Sequence, residues 1–266
     1  RHRAARGDGP QVRYEVADGV ATLTLDKPDA RNVLDADTMA ALSDGLIRAG
    51  DDPQVRVVVL AAEGRAFCAG ADLKGASTAD AESFTAQGPM ALVAVLENLL
   101  DCPKPTIAKV EGHVAGGGNG LVAACDFAVA SEDVHFAFSE VRVGVAPAVI
   151  SVVCLDRMNR RDGIELLLLG ERVPATRVAQ AGLINKAVPA DEVDAAVAAY
   201  VDALAKGGPQ ALAATKNLLR RVPGMPRTEA FAWTAEVSAH LFNSDEAKAG
   251  MMAFLSKQPA PWIAAE

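Results

Sequence analysis

The stretch "HVAGGGNGLVAACD", His113 to Asp126, decides how this chain is read. It follows the β-branched run "PTIAKV" and leads into an alanine-rich apolar segment, so Gly116, Gly117 and Gly118 stand between a strand and a helix. A second loop of small residues, "GRAFCAGADLKG" (Gly64 to Gly75), follows another buried run that ends at Ala62. Where two neighbouring strand ends open into such loops and lead towards helices, their free backbone N–H groups can converge on one point. A converging pair of donors is an oxyanion hole, in which each donor is worth about 3–4 kcal/mol to a transition state that places charge on oxygen. Glycine suits the position because a side chain would obstruct the substrate's approach. The same glycines also fit a plain tight turn. A phosphate cradle is disfavoured, since "GGGNG" is neither GxGxxG nor GxxxxGK[ST] and the loop carries no cation.

Outward from this stretch, the elements alternate. "VRYEVADGVATLTLD" contains two period-2 runs joined by Asp18-Gly19, a hairpin signal. Asp35 is placed to cap a helix through "ADTMAALSDGLIRAG", which Asp51-Asp52-Pro53 ends. Val55 to Ala62 is a continuous β-branched run, as expected of a strand buried on both faces. A helix fits Ala79 to Leu100, and "FAVA" and "HFAFS" read as strands. From Val149 onward only "LINKAVP" reads as a strand; the remainder is helical, in segments 191–206, 209–221, 227–242 and 244–256. This order predicts a layered α/β core over residues 11–200, a C-terminal helical region over 201–266 and a disordered tail over 1–10.

Composition sets the outer limits. A chain of 266 residues that is 50% hydrophobic supports a large α/β core. Its net charge of -8 is wrong for a nucleic-acid binder. No apolar run reaches the roughly 18 residues of a membrane span. Cys68, Cys102, Cys125 and Cys154 are widely spaced and read as buried thiols in a reducing cytoplasm. His2, His113, His135 and His240 lack the spacing of a metal-ligand set, so no metal is expected, and His113 reads as structural.

"AFCAGADLK", "VEGHVAGGGNGLVAACDFAVAS" and "FSEVRVGVAPAVIS", in this order, resemble the enoyl-CoA hydratase/isomerase family, the crotonases. The resemblance runs from "VATLTLDKPDARNVLD" to "MMAFLSKQ". It implies a crotonase-like spiral of ββα units that binds an acyl-CoA thioester as its substrate, with no separate cofactor. It also implies a homotrimer or a dimer of trimers. The resemblance assigns the oxyanion donors to the N–H groups of Ala71 and Gly117, and the segment Ala69, Ala71, Asp72, Leu73 and Lys74 to the border of the adenine and pantetheine arm. Arg31, in "DKPDARNVL", falls near the CoA phosphates, and Phe254 and Lys257, in "AFLSKQ", are nominated as a neighbouring subunit's contribution.

Proton transfer rests on fewer candidates. Asp72 and Asp126 match positions that are usually structural, where an acid caps the adjoining turn or helix. Ser139 has no GxSxG around it. Glu140 follows a strand among apolar neighbours, where desolvation raises a carboxyl pKa towards working pH, and the family's acid/base glutamate occupies this position. Its alternative is a surface pair with Arg142. At Gly120 the chain lacks the second glutamate of two-carboxylate hydratases, which is expected to leave room for a bulkier acyl chain. Asn119 beside it could hold a water but cannot act as a base. The reading is a hydratase of 2-enoyl-CoA; an enoyl-CoA isomerase and a weak acyl-CoA-binding paralogue are the alternatives.

Overall fold

The computed structural model describes residues 11–71 and 81–263. Strands β1 (Val12–Ala17) and β2 (Val20–Leu25) form the expected hairpin, in register from Val12 with Leu25 to Ala17 with Val20. Asp18 and Gly19 both take positive φ, 50° and 76°, which is the mirror-image turn that matches strand twist. Helix α1 (Ala36–Asp51) starts where Asp35 accepts the Thr38 N–H at 2.9 Å.

The chain then repeats one pattern three times. It lays down β3 (Val57–Ala62), β4 (Ala66–Cys68) and α2 (Ala81–Asp101); next β5 (Thr106–Val110), β6 (His113–Ala115) and α3 (Gly117–Ala124). The third round is β7 (Phe127–Ser131), β8 (His135–Ala137) and, after a 3-10 turn at Ser139–Val143, α4 (Ala148–Cys154). The first strand of each round joins a six-stranded sheet of order β1-β2-β3-β5-β7-β10, with β10 at Lys186–Val188. The second strand joins a four-stranded sheet, β4-β6-β8-β9, closed by the antiparallel β9 (Arg172–Pro174). This is the expected spiral of ββα units.

Of the second sheet only β8, within "HFAFS", was legible as a strand. Residues 66–68 and 113–115 fall in segments read as loops, and β9 falls where helix alone was expected apart from "LINKAVP". Each is three residues long, too short to display a period. The run at β3, by contrast, is buried on both faces. Val58 and Leu60 enter the main core, while Val57 and Val59 join Ile107, Val129, Val193 and Val197 under helix α7 (Val193–Ala205).

Helices α5 (Arg160–Leu169) and α6 (Ala175–Ala181) lead to α7, and the C-terminal part follows as α8 (Pro209–Arg221), α9 (Arg227–Phe242) and α10 (Asp245–Leu255). Two anchors tie it back. Lys216 of α8 reaches the carbonyls of Leu99 (3.0 Å) and Lys104 (3.3 Å) and pairs with Asp126 at 2.8 Å. Arg56 donates to the carbonyls of Trp262 (2.9 Å) and Gly207 (2.7 Å), while the Trp262 indole donates to the Lys206 carbonyl and its ring covers Gly250. Trp233 of α9 lies under the Arg221 guanidinium, 4.4 Å from its ring centre. Asp126 therefore has a structural role, but not as a cap on its own turn: it accepts the Thr106 N–H (2.8 Å) and hydroxyl (3.1 Å) and clamps the start of β5.

The four cysteines are buried and unpaired. Among the described residues, no helix is long and apolar enough to cross a membrane.

Candidate active site

The two glycine loops meet. A methyl group built on Gly70 would stand 3.2 Å from the Ala115 oxygen, the Gly116 Cα and the Gly117 nitrogen, so only a residue without a side chain lets the backbones approach this closely. Gly70 also has φ 85°, and Gly116 has φ 51° with ψ -128°, a conformation for which other residues pay strain. Gly116 ψ sets the direction of the next peptide N–H, that of Gly117. Gly117 is the first residue of α3, where an N–H has no acceptor within the helix and the helix dipole is positive.

Ala71 is held from the other side. Leu34 forms a parallel bridge with Ala71 through its N–H to the Gly70 carbonyl, 2.9 Å, which leaves the N–H of Ala71 turned away from Leu34. One step earlier, the Ala69 N–H donates to the Arg31 carbonyl at 3.0 Å, so Arg31, Ala69 and Ala71 border the same loop. Arg31 and Asn32 both adopt left-handed φ, 55° and 52°. Asn32 is fully buried and makes this possible: its oxygen accepts the Lys27 N–H (2.8 Å) and its amide donates to the carbonyls of Glu63 (2.9 Å) and Ala66 (2.7 Å). Sequence reading passed over Asn32, although an asparagine beside a turn, tolerant of left-handed φ, is a signal for such a role.

Glu140 enters from the third ββα round, in the 3-10 turn after β8. Its Oε1 is 3.6 Å from where a Gly116 side chain would begin, and its Oε2 is buried without a hydrogen-bond partner among the described residues. Burial pushes its pKa up from the ordinary carboxylate range. Arg142 does not neutralise it; that guanidinium donates to the Leu169 carbonyl at 2.9 Å and lies 4.0 Å from Glu171. Fully buried Cys154 of α4 is near enough to feel the carboxylate: burial first, then the Glu140 charge, push the thiol up.

Gly120 corrects one expectation. No extra room stands at this position, because a methyl there would lie 2.5 Å from Ile150 Cγ2 and 3.1 Å from Ile150 Cβ. A β-branched side chain of α4 fills the volume that a second glutamate would need. Ile150 was missed because nothing in the sequence pairs residue 150 with residue 120.

The remaining candidates lie apart or outside view. His113 has a structural partner, its Nδ1 accepting the His135 N–H at 3.0 Å, and burial followed by Arg172 lowers its pKa. Asp72, Leu73 and Lys74 lie outside the described residues. Phe254, 82% exposed, and Lys257 close α10, next to the segment that Arg56 anchors at the start of β3, whereas Ala71 follows that strand's far end. A cavity of about 780 Å³ also lies elsewhere, between α4, α8 and the starts of β5 and β7.

The spiral of ββα units with this glycine junction defines a crotonase-fold protein. A family profile described as enoyl-CoA hydratase/isomerase matches residues 15–264, and the chain belongs to that family. It is 32% identical to the enoyl-CoA hydratase EchA19 of Mycobacterium tuberculosis, over 94% of this chain and 95% of that one. It is 31% identical to the carnitinyl-CoA dehydratase of Salmonella typhi, over 91% and 94%. Among solved structures, an enoyl-CoA hydratase of Mycobacterium smegmatis superposes with a TM-score of 0.90 at 33% identity, covering 96% of this chain and all of that one.

Proposed function

We propose that this enzyme of the hydratase/isomerase family adds water to a 2-enoyl-CoA, with the N–H groups of Ala71 and Gly117 on the thioester oxygen and Glu140 as acid and base. The observation that carries this reading is the buried Glu140 oxygen, without a partner among the described residues, beside the turn that opens into the Gly117 N–H. Attack of water at the β carbon moves an electron pair through the double bond onto the thioester oxygen. Two backbone donors there stabilise that enolate more than the neutral ground state, which is the condition for lowering the barrier. A carboxyl with a raised pKa can take a proton from the water and return one to the α carbon. With Ile150 in place of a second carboxylate, Glu140 performs both transfers. The relatives' names support this direction, since one is called a hydratase and another a dehydratase.

The acyl-CoA would lie along Arg31 and the Ala69 to Lys74 segment, with Phe254 and Lys257 supplied by a neighbouring subunit of a trimer or a dimer of trimers, and no further cofactor. The exposed apolar side chains of the C-terminal helices support such an assembly. The cytoplasm suits a protein with four free thiols.

The single carboxylate also favours a second reading, Δ3,Δ2-enoyl-CoA isomerisation, because shuttling one proton between two carbons needs one base. Incubation with a 2-enoyl-CoA and, separately, a 3-enoyl-CoA decides. Hydration without double-bond migration supports the hydratase; migration without hydration supports the isomerase; binding with neither leaves an acyl-CoA-binding paralogue.

A further inference from the structure

Asn119 is fully buried in α3, one residue before Gly120, and its carboxamide has no basic group to offer. Its amide donates to two carbonyls, that of Gly116 at 3.1 Å and that of Ala137 at 2.9 Å. These carbonyls belong to two different rounds of the spiral. Gly116 holds the peptide whose N–H is that of Gly117, and Ala137 ends β8, three residues before Glu140. The Gly116 N–H also donates to the same Ala137 carbonyl, at 3.2 Å. Asn119 also donates its own backbone N–H to Gly116, at 3.0 Å, so the Gly116 carbonyl is held by two donors of one residue.

Stability alone does not account for this residue. Asparagine is a poor helix former, and its Oδ1 is buried without a partner among the described residues, which leaves part of its desolvation cost unreturned. What the carboxamide provides is geometry. It spans the gap between the glycine turn and the end of β8 and fixes the carbonyl whose orientation is coupled to that of the Gly117 N–H through one planar peptide.

We propose that Asn119 is a positioning residue: its buried carboxamide clamps the Gly116 and Ala137 carbonyls together and so holds the Gly117 N–H and Glu140 in one fixed relative placement. The role rests on the reading of Gly117 as an oxyanion donor. Loss of the clamp lets the Gly116–Gly117 peptide rotate, and it penalises the enolate while leaving the bulk of acyl-CoA binding alone.

The test uses two variants and two ligands, at temperatures well below each variant's melting point. Acetoacetyl-CoA, which enolises, probes the oxyanion site; butyryl-CoA, which does not enolise readily, probes general thioester binding. Asn119→Ala is expected to lower kcat by about 10- to 100-fold, as small misplacements of reacting groups do. KM should change little, and the preference for acetoacetyl-CoA over butyryl-CoA should shrink. Asn119→Asp keeps the size but presents a carboxylate to two carbonyl oxygens. Protonation restores one donor, so its kcat relative to wild type should rise as pH falls, a response that a mere space-filling role would not give. A wild-type protein without preference for acetoacetyl-CoA would sink the oxyanion reading itself. A wild type with that preference, and folded variants that keep both it and kcat, would overturn the clamp alone. Equal loss of both ligands, or failure of both variants to fold, would also overturn it, by making Asn119 a scaffold residue.

Discussion

The glycine junction and the C-terminal helices are built on opposite principles. In α3, Gly118 to Ala124 are all buried, and Gly117, Gly118 and Gly120 stand against Leu34, Cys68, Val114 and Ile150 so closely that a side chain on any of them would collide. In α8, α9 and α10 no residue is buried, and Leu219, Phe231 and Phe254 are 73%, 71% and 82% exposed. The first region is completed by its own chain. The second presents apolar area that a lone chain leaves in water, a surface that calls for a partner. The contrast teaches where function and assembly are each written: close backbone approach sets the proposed chemistry, and unsatisfied apolar helix faces set the proposed trimer.

Mutations can break this contrast. The largest effect is expected inside the junction. Glu140→Gln should keep acyl-CoA binding and cut turnover by about 10²- to 10⁴-fold, the usual loss of a placed acid or base; steady-state kinetics with binding measured separately would check it. An unchanged rate would remove Glu140 from the mechanism.

Packing at the same place comes next. Ile150→Ala should cost about 2–5 kcal/mol in a denaturant melt, as for other buried aliphatic truncations. Gly120→Ala adds one methyl to a helix interior, a gain of roughly 1 kcal/mol on propensity alone. Here the 2.5 Å approach to Ile150 Cγ2 should reverse the sign, because overpacking costs about 1–3 kcal/mol. In the Ile150→Ala background the Gly120→Ala penalty should vanish, and a double-mutant cycle would show the coupling.

A smaller effect concerns pH. The raised pKa of Glu140 means that the folded chain holds a proton which the unfolded chain has released, over the interval between the ordinary carboxylate value and the raised one. Stability is therefore lost as pH rises through that interval. Glu140→Gln has no such charge to bury, so its melting temperature should gain on wild type as pH rises above the ordinary carboxylate value. A constant difference would show that burial does not perturb the carboxyl.

The smallest effect belongs to the second region. Phe254→Ser should move the stability of the single chain by no more than about 0.5 kcal/mol, as surface changes do. Its consequence should appear in solution mass, as a shift towards monomer, and a chain that is monomeric before the change would end the proposed role of Phe254 and Lys257.

The same contrast explains what could be read in advance. The hairpin at Asp18-Gly19, the Asp35 cap and the two-faced burial of β3 are local or periodic, so the sequence displays them directly. The three-residue strands β4, β6 and β9 exist only through their neighbours in the second sheet. Arg31, Ala69 and Glu140 were nominated through motif resemblance and not by any local pattern; that Arg31 meets Ala69 and Glu140 meets Gly116 is seen only in the folded chain. Ile150 against Gly120 and the Asn32 hub depend on contacts between segments about 30 residues apart, which no window of sequence contains.

Both tryptophans of the chain lie in its last third, Trp233 beneath Arg221 and Trp262 over Gly250. Intrinsic fluorescence is therefore a reporter of the C-terminal helices and is blind to the glycine junction. Far-UV circular dichroism sees the whole chain, so superposing the two melting curves tests whether the Lys216 and Arg56 anchors make the molecule unfold as one unit or let its last third peel away first.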